Sequence, residues 1–276
     1  MLNLIRKHQP ISRADLARRS HLQRSTVSAI IEQLIGERWV TTGACEDLPR
    51  GRKPTFLHLN GNRAGVIGID VRPKETTIAL ANLEMRFLTQ GSIMTNPDPT
   101  QLIKQLGERL EHLMNSYPHI TIEGIGVVLP GRVELPSNRL TCDPNLGWGP
   151  VDFKKLLEEA TGLPVELENV ANACALAEFW MGAQRDNVRN LVAVTVSEDI
   201  GIGMIFNGQL VRGAMGMAGE FGHIKIQEDG PLCRCGNRGC FEACASNPVA
   251  VRHFSEVMGN KSGKKSSREV DFDSIL

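Results

Sequence analysis

The chain has 276 residues, 41% of them hydrophobic and 22% charged, with a formal net charge of zero. That composition is ordinary for a folded globular protein and excludes a disordered or low-complexity chain. No apolar run approaches the ~20 residues that a membrane helix needs, and residues 1–7 lack the hydrophobic stretch of a secretory signal, so the expected location is the cytoplasm.

In chain order, Leu2 and Ile5 suit a short first helix. Ser12 and Asp15 have the spacing of a capping box at the start of a second helix carrying Leu16 and Ala17, with Asp15 reaching back to Ser12. A turn is expected over 20–22. A third helix starts near Arg24, where Val27, Ile30, Ile31, Leu34 and Ile35 recur at i, i+3, i+4, i+7 and i+8, the stripe of an amphipathic helix. Gly36 is placed to end it. Two helices joined by a tight turn form a helix-turn-helix. The leading edge of its last helix carries Gln23, Arg24, Ser25, Thr26 and Ser28, whose donors and acceptors suit base edges in a major groove. Segments 39–42 and 55–59 read as two strands, and Arg50, Arg52 and Lys53 between them read as a basic wing tip for phosphates or a minor groove. Residues 1–60 are thus expected to be a winged helix-turn-helix DNA-binding domain; the alternative is a three-helix protein-interaction module. The neutral total charge conceals ten Lys/Arg against five Asp/Glu in residues 1–60, a net +5 that leaves −5 for the rest. A head that touches a polyanion fits this asymmetry, and a solvated basic face fits it equally well.

Residues 61–276 read as an α/β body. Strands are expected over 65–70, buried on both faces, and over 76–83, 88–94, 122–129, 165–167 and 191–196. Helices are expected over 100–117, with Leu102, Ile103, Leu106, Leu110, Leu113 and Met114 on one face, and over 171–181. Asn207 and Gly208 signal a hairpin between 201–206 and 209–211. The polar end, from 261 to 269, reads as a loop or frayed tail.

Seven cysteines, an odd number, argue against a disulfide framework. Three of them, Cys233, Cys235 and Cys240, fall within eight residues, with His223 upstream. Three thiolates and an imidazole are the donor set of a closed structural zinc site, so zinc is the expected cofactor; unliganded thiols are the alternative. Gly236 and Gly239 would let the loop wrap the ion, and Cys244 reads as a core residue.

Five segments carry a resemblance. They are residues 126–131 (Gly-Val-Val-Leu-Pro-Gly), 144–148 (Pro-Asn-Leu-Gly-Trp), 168–172 (Glu-Asn-Val-Ala-Asn), 219–223 (Gly-Glu-Phe-Gly-His) and the cysteine loop 233–242. Together they resemble the ROK family of repressors, open reading frames and sugar kinases. The resemblance implies a two-lobed fold of the actin, hexokinase and ribonuclease H type, with a first lobe over 61–120 and a second over 121–276. It also implies a chain that continues past residue 276, so that the second lobe is incomplete here.

By the same resemblance, Gly131, Asn145, Asn169, Glu220, His223 and Glu242 would line a sugar pocket, His223 also binding metal through its other ring nitrogen. The family's kinases place a general-base aspartate after the asparagine of the Glu-Asn pair, where this chain has Val170. Their first phosphate loop is replaced here by Val71, Arg72, Pro73 and Lys74, and Pro73 has no N–H to offer. Their second is replaced by Ser197, Glu198 and Asp199, whose carboxylates would repel phosphates. No catalytic residue is therefore expected. The implied protein is a sugar-responsive transcription regulator, a repressor of carbohydrate metabolism genes. It would bind double-stranded operator DNA as a homodimer or tetramer and take a sugar or sugar phosphate as effector. Two alternatives stand beside it: an active sugar kinase with an accessory head, and a regulator that senses a sugar-transport protein.

Overall fold

The computed structural model describes residues 1–44, 55–134, 136–182 and 188–262, together with Phe272. The expected wing tip, Arg50, Arg52 and Lys53, lies outside the described residues, as does most of the polar end.

The head is built from α1 (Leu2–His8), β1 (Ile11–Ser12), α2 (Arg13–Ser20), α3 (Arg24–Gly36), β2 (Val40–Ala44) and β3 (Thr55–Leu59). Ser12 caps α2 by accepting from the Asp15 backbone N–H at 3.2 Å. The return bond of the capping box differs from the expected one: Asp15 accepts from the Ser12 hydroxyl at 2.6 Å instead of the Ser12 backbone. His21 takes the left-handed conformation that turns α2 into α3. The three strands pair antiparallel in the order β1-β3-β2. Ile5, Leu16, Val27, Ile31, Val40 and Leu57 close a small core of their own. Helix α3 ends at Gly36 as expected, although Gly36 itself stays helical and the left-handed residue that turns the chain into β2 is Arg38.

The body opens with β4 (Ala64–Val71), β5 (Glu75–Asn82), β6 (Phe87–Met94), α4 (Pro99–Ser116) and β7 (Thr121–Leu129). A small hairpin, β8 (Arg132–Glu134) and β9 (Arg139–Cys142), leads to α5 (Phe153–Thr161), β10 (Val165–Asn169) and α6 (Val170–Met181). One five-stranded sheet has the order β10-β7-β4-β5-β6, with β4, β7 and β10 parallel and the other two antiparallel. This sheet runs across the expected lobe boundary at residue 120, because β7 and β10 complete it. Leu102, Leu106 and Leu110 of α4 and Phe153 and Leu157 of α5 cover one face and are fully buried. Each such side chain contributes roughly 1.5–3 kcal/mol of burial. The other face is more open than the expected doubly buried strand: Val66 of β4 is 42% exposed.

A second sheet follows, β11 (Leu191–Val196), β12 (Ile200–Phe206) and β13 (Gln209–Leu210), antiparallel throughout, with the hairpin at Asn207 and Gly208 in positive φ. Helix α6 lies directly on β12. A Cβ on Gly203 would sit 2.2 Å from the Ala171 carbonyl oxygen, so only glycine permits this approach. A short 3-10 turn (Phe221–His223), α7 (Phe241–Ala245) and α8 (Asn247–Ser262) finish the described chain. Helix α8 reaches into what was expected to be a frayed tail. Among the described residues no helix is long and apolar enough to cross a membrane.

Candidate functional site

The parallel strands β4, β7 and β10 end at one edge of the large sheet, where open α/β sheets place their ligands. There the chain forms a cleft of about 330 Å³ between the large sheet and the β12 sheet. That volume is at the lower end of small-molecule sites, about 300–1,000 Å³. All six residues expected at a sugar pocket, Gly131, Asn145, Asn169, Glu220, His223 and Glu242, line it. Glu220 caps the 3-10 turn and His223 ends it, Glu242 arrives on the first turn of α7, and Asn169 at the end of β10.

Their bonds divide them. Asn169 caps α6, accepting from the Ala171 N–H at 2.8 Å, and donates to the Gly131 carbonyl at 3.2 Å, so it ties β10 to the loop after β7 while facing the cleft. Asn145 donates from Nδ2 to Asp199 Oδ2 at 2.9 Å and accepts from Arg234 through Oδ1. Burial pushes the carboxyls of Asp199 and Glu220 above their ordinary range, and the nearby Glu242 charge adds to both shifts. Arg132, Asp199 and Arg234 line the cleft as well and were not expected as binding residues. For Arg234 a signal existed: it sits between Cys233 and Cys235, so any metal loop that closes must carry its side chain along.

The cluster His223, Cys233, Cys235 and Cys240 forms as expected, with all four donor atoms within 4.8 Å of one another. A tetrahedron of Zn–S bonds near 2.3 Å has edges of about 3.8 Å. Cys235 Sγ lies 3.7 Å from Cys240 Sγ, and Cys233 Sγ lies 3.6 Å from His223 Nδ1, so the donor set fits such an ion. Gly239 makes the wrap possible: its φ is +72°, and a Cβ there would meet the Gln227 carbonyl oxygen at 1.6 Å. His223 Nδ1 faces the thiols, and Nε2 lies 3.6 Å from Glu220 Oε2. Cys244 is only partly buried, contrary to its expected place in the core.

Val170 is the first residue of α6, with 4% of its surface exposed, and is absent from the cleft wall. At the end of β4, Arg72 Nε binds Asp70 Oδ1 at 2.8 Å.

On the head, Gln23, Arg24, Ser25 and Thr26 stand exposed at the start of α3, and Ser28 is half-buried. Among the described residues no ion pair occupies Arg24, while Arg13 binds Glu32 at 2.7 Å and fixes α2 against α3.

A winged helix carried on an actin-like body, with a polar cleft and a Cys3His cluster at its edge, defines a fused class in which a nucleic-acid-binding fold and a sugar-kinase fold share one chain. The chain belongs to the ROK family, whose sequence pattern matches residues 66–271, and the pattern of a winged helix-turn-helix DNA-binding domain matches residues 1–41. It is 34% identical to the xylose repressor of Bacillus spizizenii over 255 residues, covering 91% of this chain and 66% of that one. It is also 34% identical to a glucokinase of Halalkalibacterium halodurans over 214 residues, covering 75% of this chain and 63% of the relative. The crystal structure of a ROK family transcriptional regulator, a homologue of the E. coli MLC protein, superposes with a TM-score of 0.80 at 27% identity, over 99% of this chain and 70% of that one. The chain spans somewhat under two thirds of the length of these curated relatives.

Proposed function

We propose that this chain is a sugar-responsive DNA-binding transcription regulator, a repressor of carbohydrate metabolism genes, acting in the cytoplasm. The gathering of six residues, five of them polar, from five separate segments into one cleft carries this reading. Residues 1–60 form the DNA-binding domain, with Gln23, Arg24, Ser25, Thr26 and Ser28 reading base edges and Arg50, Arg52 and Lys53 holding the backbone. Residues 61–276 form the sensor, its lobes parting after Asn169, where the large sheet ends, instead of at 120. Paired heads of a homodimer or tetramer meet a two-fold operator. A sugar in the cleft changes lobe closure and so the spacing of the heads, to the extent that it binds one closure state better.

His223, Cys233, Cys235 and Cys240 would hold a structural zinc, which would staple the loop and set the imidazole tautomer. With Nδ1 committed to the cluster, His223 keeps its proton on Nε2, toward Glu220 and the cleft. Glu242, whose Oε1 lies 3.1 Å from the Cys233 sulfur, presents a carboxylate beside it. Such groups bind sugar hydroxyls without transferring phosphate. Val170 offers no base for the reaction, and Pro73 no amide for a nucleotide.

A gel-shift titration tests the reading. An operator selected from random duplexes is expected to be released as D-xylose, D-glucose or N-acetyl-D-glucosamine is added. Binding to no duplex would end the proposal. The identity to a glucokinase supports a second reading, an active kinase with a DNA-binding head. A coupled ATP assay over the same sugars separates the two, with turnover favouring the kinase.

A further inference from the structure

The interior charge of the cleft is uneven. Three carboxylates line it, Asp199, Glu220 and Glu242, against two guanidiniums, Arg132 and Arg234. Arg234 donates to Asn145, whereas the buried Nε of Arg132 has no hydrogen-bond partner among the described residues, so the anion-barring role falls to the carboxylates. The carboxylate of Asp199 is unlike the other two because it is held in place. It accepts from Asn145 Nδ2 at 2.9 Å and from the Ser197 hydroxyl at 3.3 Å, while its own carbonyl accepts from the Ser197 N–H at 2.9 Å. Ser197, Glu198 and Asp199 form the tight turn between β11 and β12, so the carboxylate swings aside only by giving up its bonds to the Ser197 hydroxyl and the Asn145 amide. Asn145 comes from the loop after β9, on the other side of the cleft. Asp199 therefore spans the opening and fixes the amide of Asn145.

We propose that Asp199 is a specificity-determining residue of this cleft: it orients Asn145 toward a ligand hydroxyl and bars phosphate and carboxylate groups, so that the effector is a neutral sugar. This rests on the reading of the cleft as a sugar pocket. The physical reason is that a held carboxylate costs a neutral, hydroxyl-bearing ligand nothing and offers it an acceptor. A ligand bearing a second anion must pay the repulsion of two like charges in a partly desolvated space. A mobile carboxylate could turn away; one held through both oxygens, by Asn145 and by Ser197, is held in place. Raised proton affinity at Asp199, caused first by burial and then by the Glu242 charge, is consistent with crowding of like charge at this point.

The test is calorimetry on the full chain with three neutral sugars, D-xylose, D-glucose and N-acetyl-D-glucosamine, and three anionic ones, D-glucose 6-phosphate, N-acetyl-D-glucosamine 6-phosphate and D-glucuronate. At least one neutral sugar is expected to bind at least about tenfold more tightly than its anionic counterpart. Asp199→Asn keeps one acceptor oxygen for Asn145 and turns the other arm into an amide donor that the Ser197 hydroxyl can accept, while removing the charge. It is expected to lower the neutral-to-anionic selectivity ratio at least about tenfold, through tighter binding of the anionic sugars. Asp199→Gly removes the hold on Asn145 too, and is expected to weaken neutral sugars as well. Equal or tighter binding of a 6-phosphate by the parent, or an unchanged ratio in Asp199→Asn, overturns the role of Asp199 and leaves the sugar pocket standing. Binding of no sugar, neutral or anionic, overturns both.

Discussion

Asp143 has no exposed surface, and only one of its carboxylate oxygens is satisfied. Oδ1 accepts the N–H groups of Asn145 at 3.0 Å and Leu146 at 3.1 Å, while Oδ2 has no partner among the described residues. Burial pushes its pKa from 3.8 up to about 6. Because the folded value lies above the unfolded one, the folded chain binds this proton more tightly, and stability falls as pH rises from about 4 to about 6. Asp143→Asn keeps the two accepted bonds and removes the titration. Urea midpoints at a series of pH values are expected to show the variant gaining about 2–3 kcal/mol on the parent between pH 4 and 7. A constant difference across that range would mean that Asp143 is solvated. At the same scale, Cys240→Ser removes one buried donor of the Cys3His cluster. Metal analysis of protein purified without chelators is expected to find one zinc per parent chain and none in the variant, with a stability loss of at least about 2 kcal/mol. Zinc-free parent protein with undiminished stability would show that the thiols stand alone.

At the scale of elements, one side chain bridges head and body. The Arg63 guanidinium lies 4.6 Å over the Trp39 ring, donates through Nε to the Glu37 carbonyl at 3.1 Å, and donates through Nη1 to Thr121 Oγ1 at 3.2 Å. Thr121 begins β7, and the other end of β7 delivers Gly131 to the cleft. A strand in the middle of a sheet is stiff, so movement of the loop at 130–132 is felt at Arg63. Arg63→Ala is expected to reduce the effect of sugar on DNA affinity at least about threefold while each ligand alone still binds; a coupling left unchanged would place the path elsewhere. Arg63→Lys, which keeps charge but loses the flat stacking surface, is expected to fall between the two. These elements were largely legible in the sequence because their signals are local. The stripe from Val27 to Ile35 and the stripe from Leu102 to Leu110 each repeat at helical spacing. Helix α5 was not legible: its buried contribution is Phe153 and Leu157 alone, set among charged residues. The sheet's extent past residue 120 was not legible either, since pairing β7 with β4 joins residues some sixty positions apart. In the site, the motifs gave six of the lining residues, but the hold of Asp199 on Asn145 exists only once two remote turns meet.

At the scale of the whole molecule, the proposed function gives the charge asymmetry a role: a net +5 head would press against DNA while a −5 body stays clear of it. The head's affinity is expected to fall with salt because its basic groups release counterions from the duplex. The cleft ligand is a different matter. A neutral sugar carries no charge to the complex, so any influence on DNA must pass through the shape of the chain and is a coupling free energy between two sites. Such coupling is reciprocal. If saturating sugar weakens operator binding by a given factor, saturating operator must weaken sugar binding by the same factor, typically about 5–150-fold. Sugar titrations by calorimetry with and without the selected duplex, set beside gel shifts with and without sugar at one salt concentration, are expected to return equal factors. Unequal factors would mean that sugar and DNA do not act on one equilibrium, as happens when the sugar changes the assembly state or a third component carries the signal.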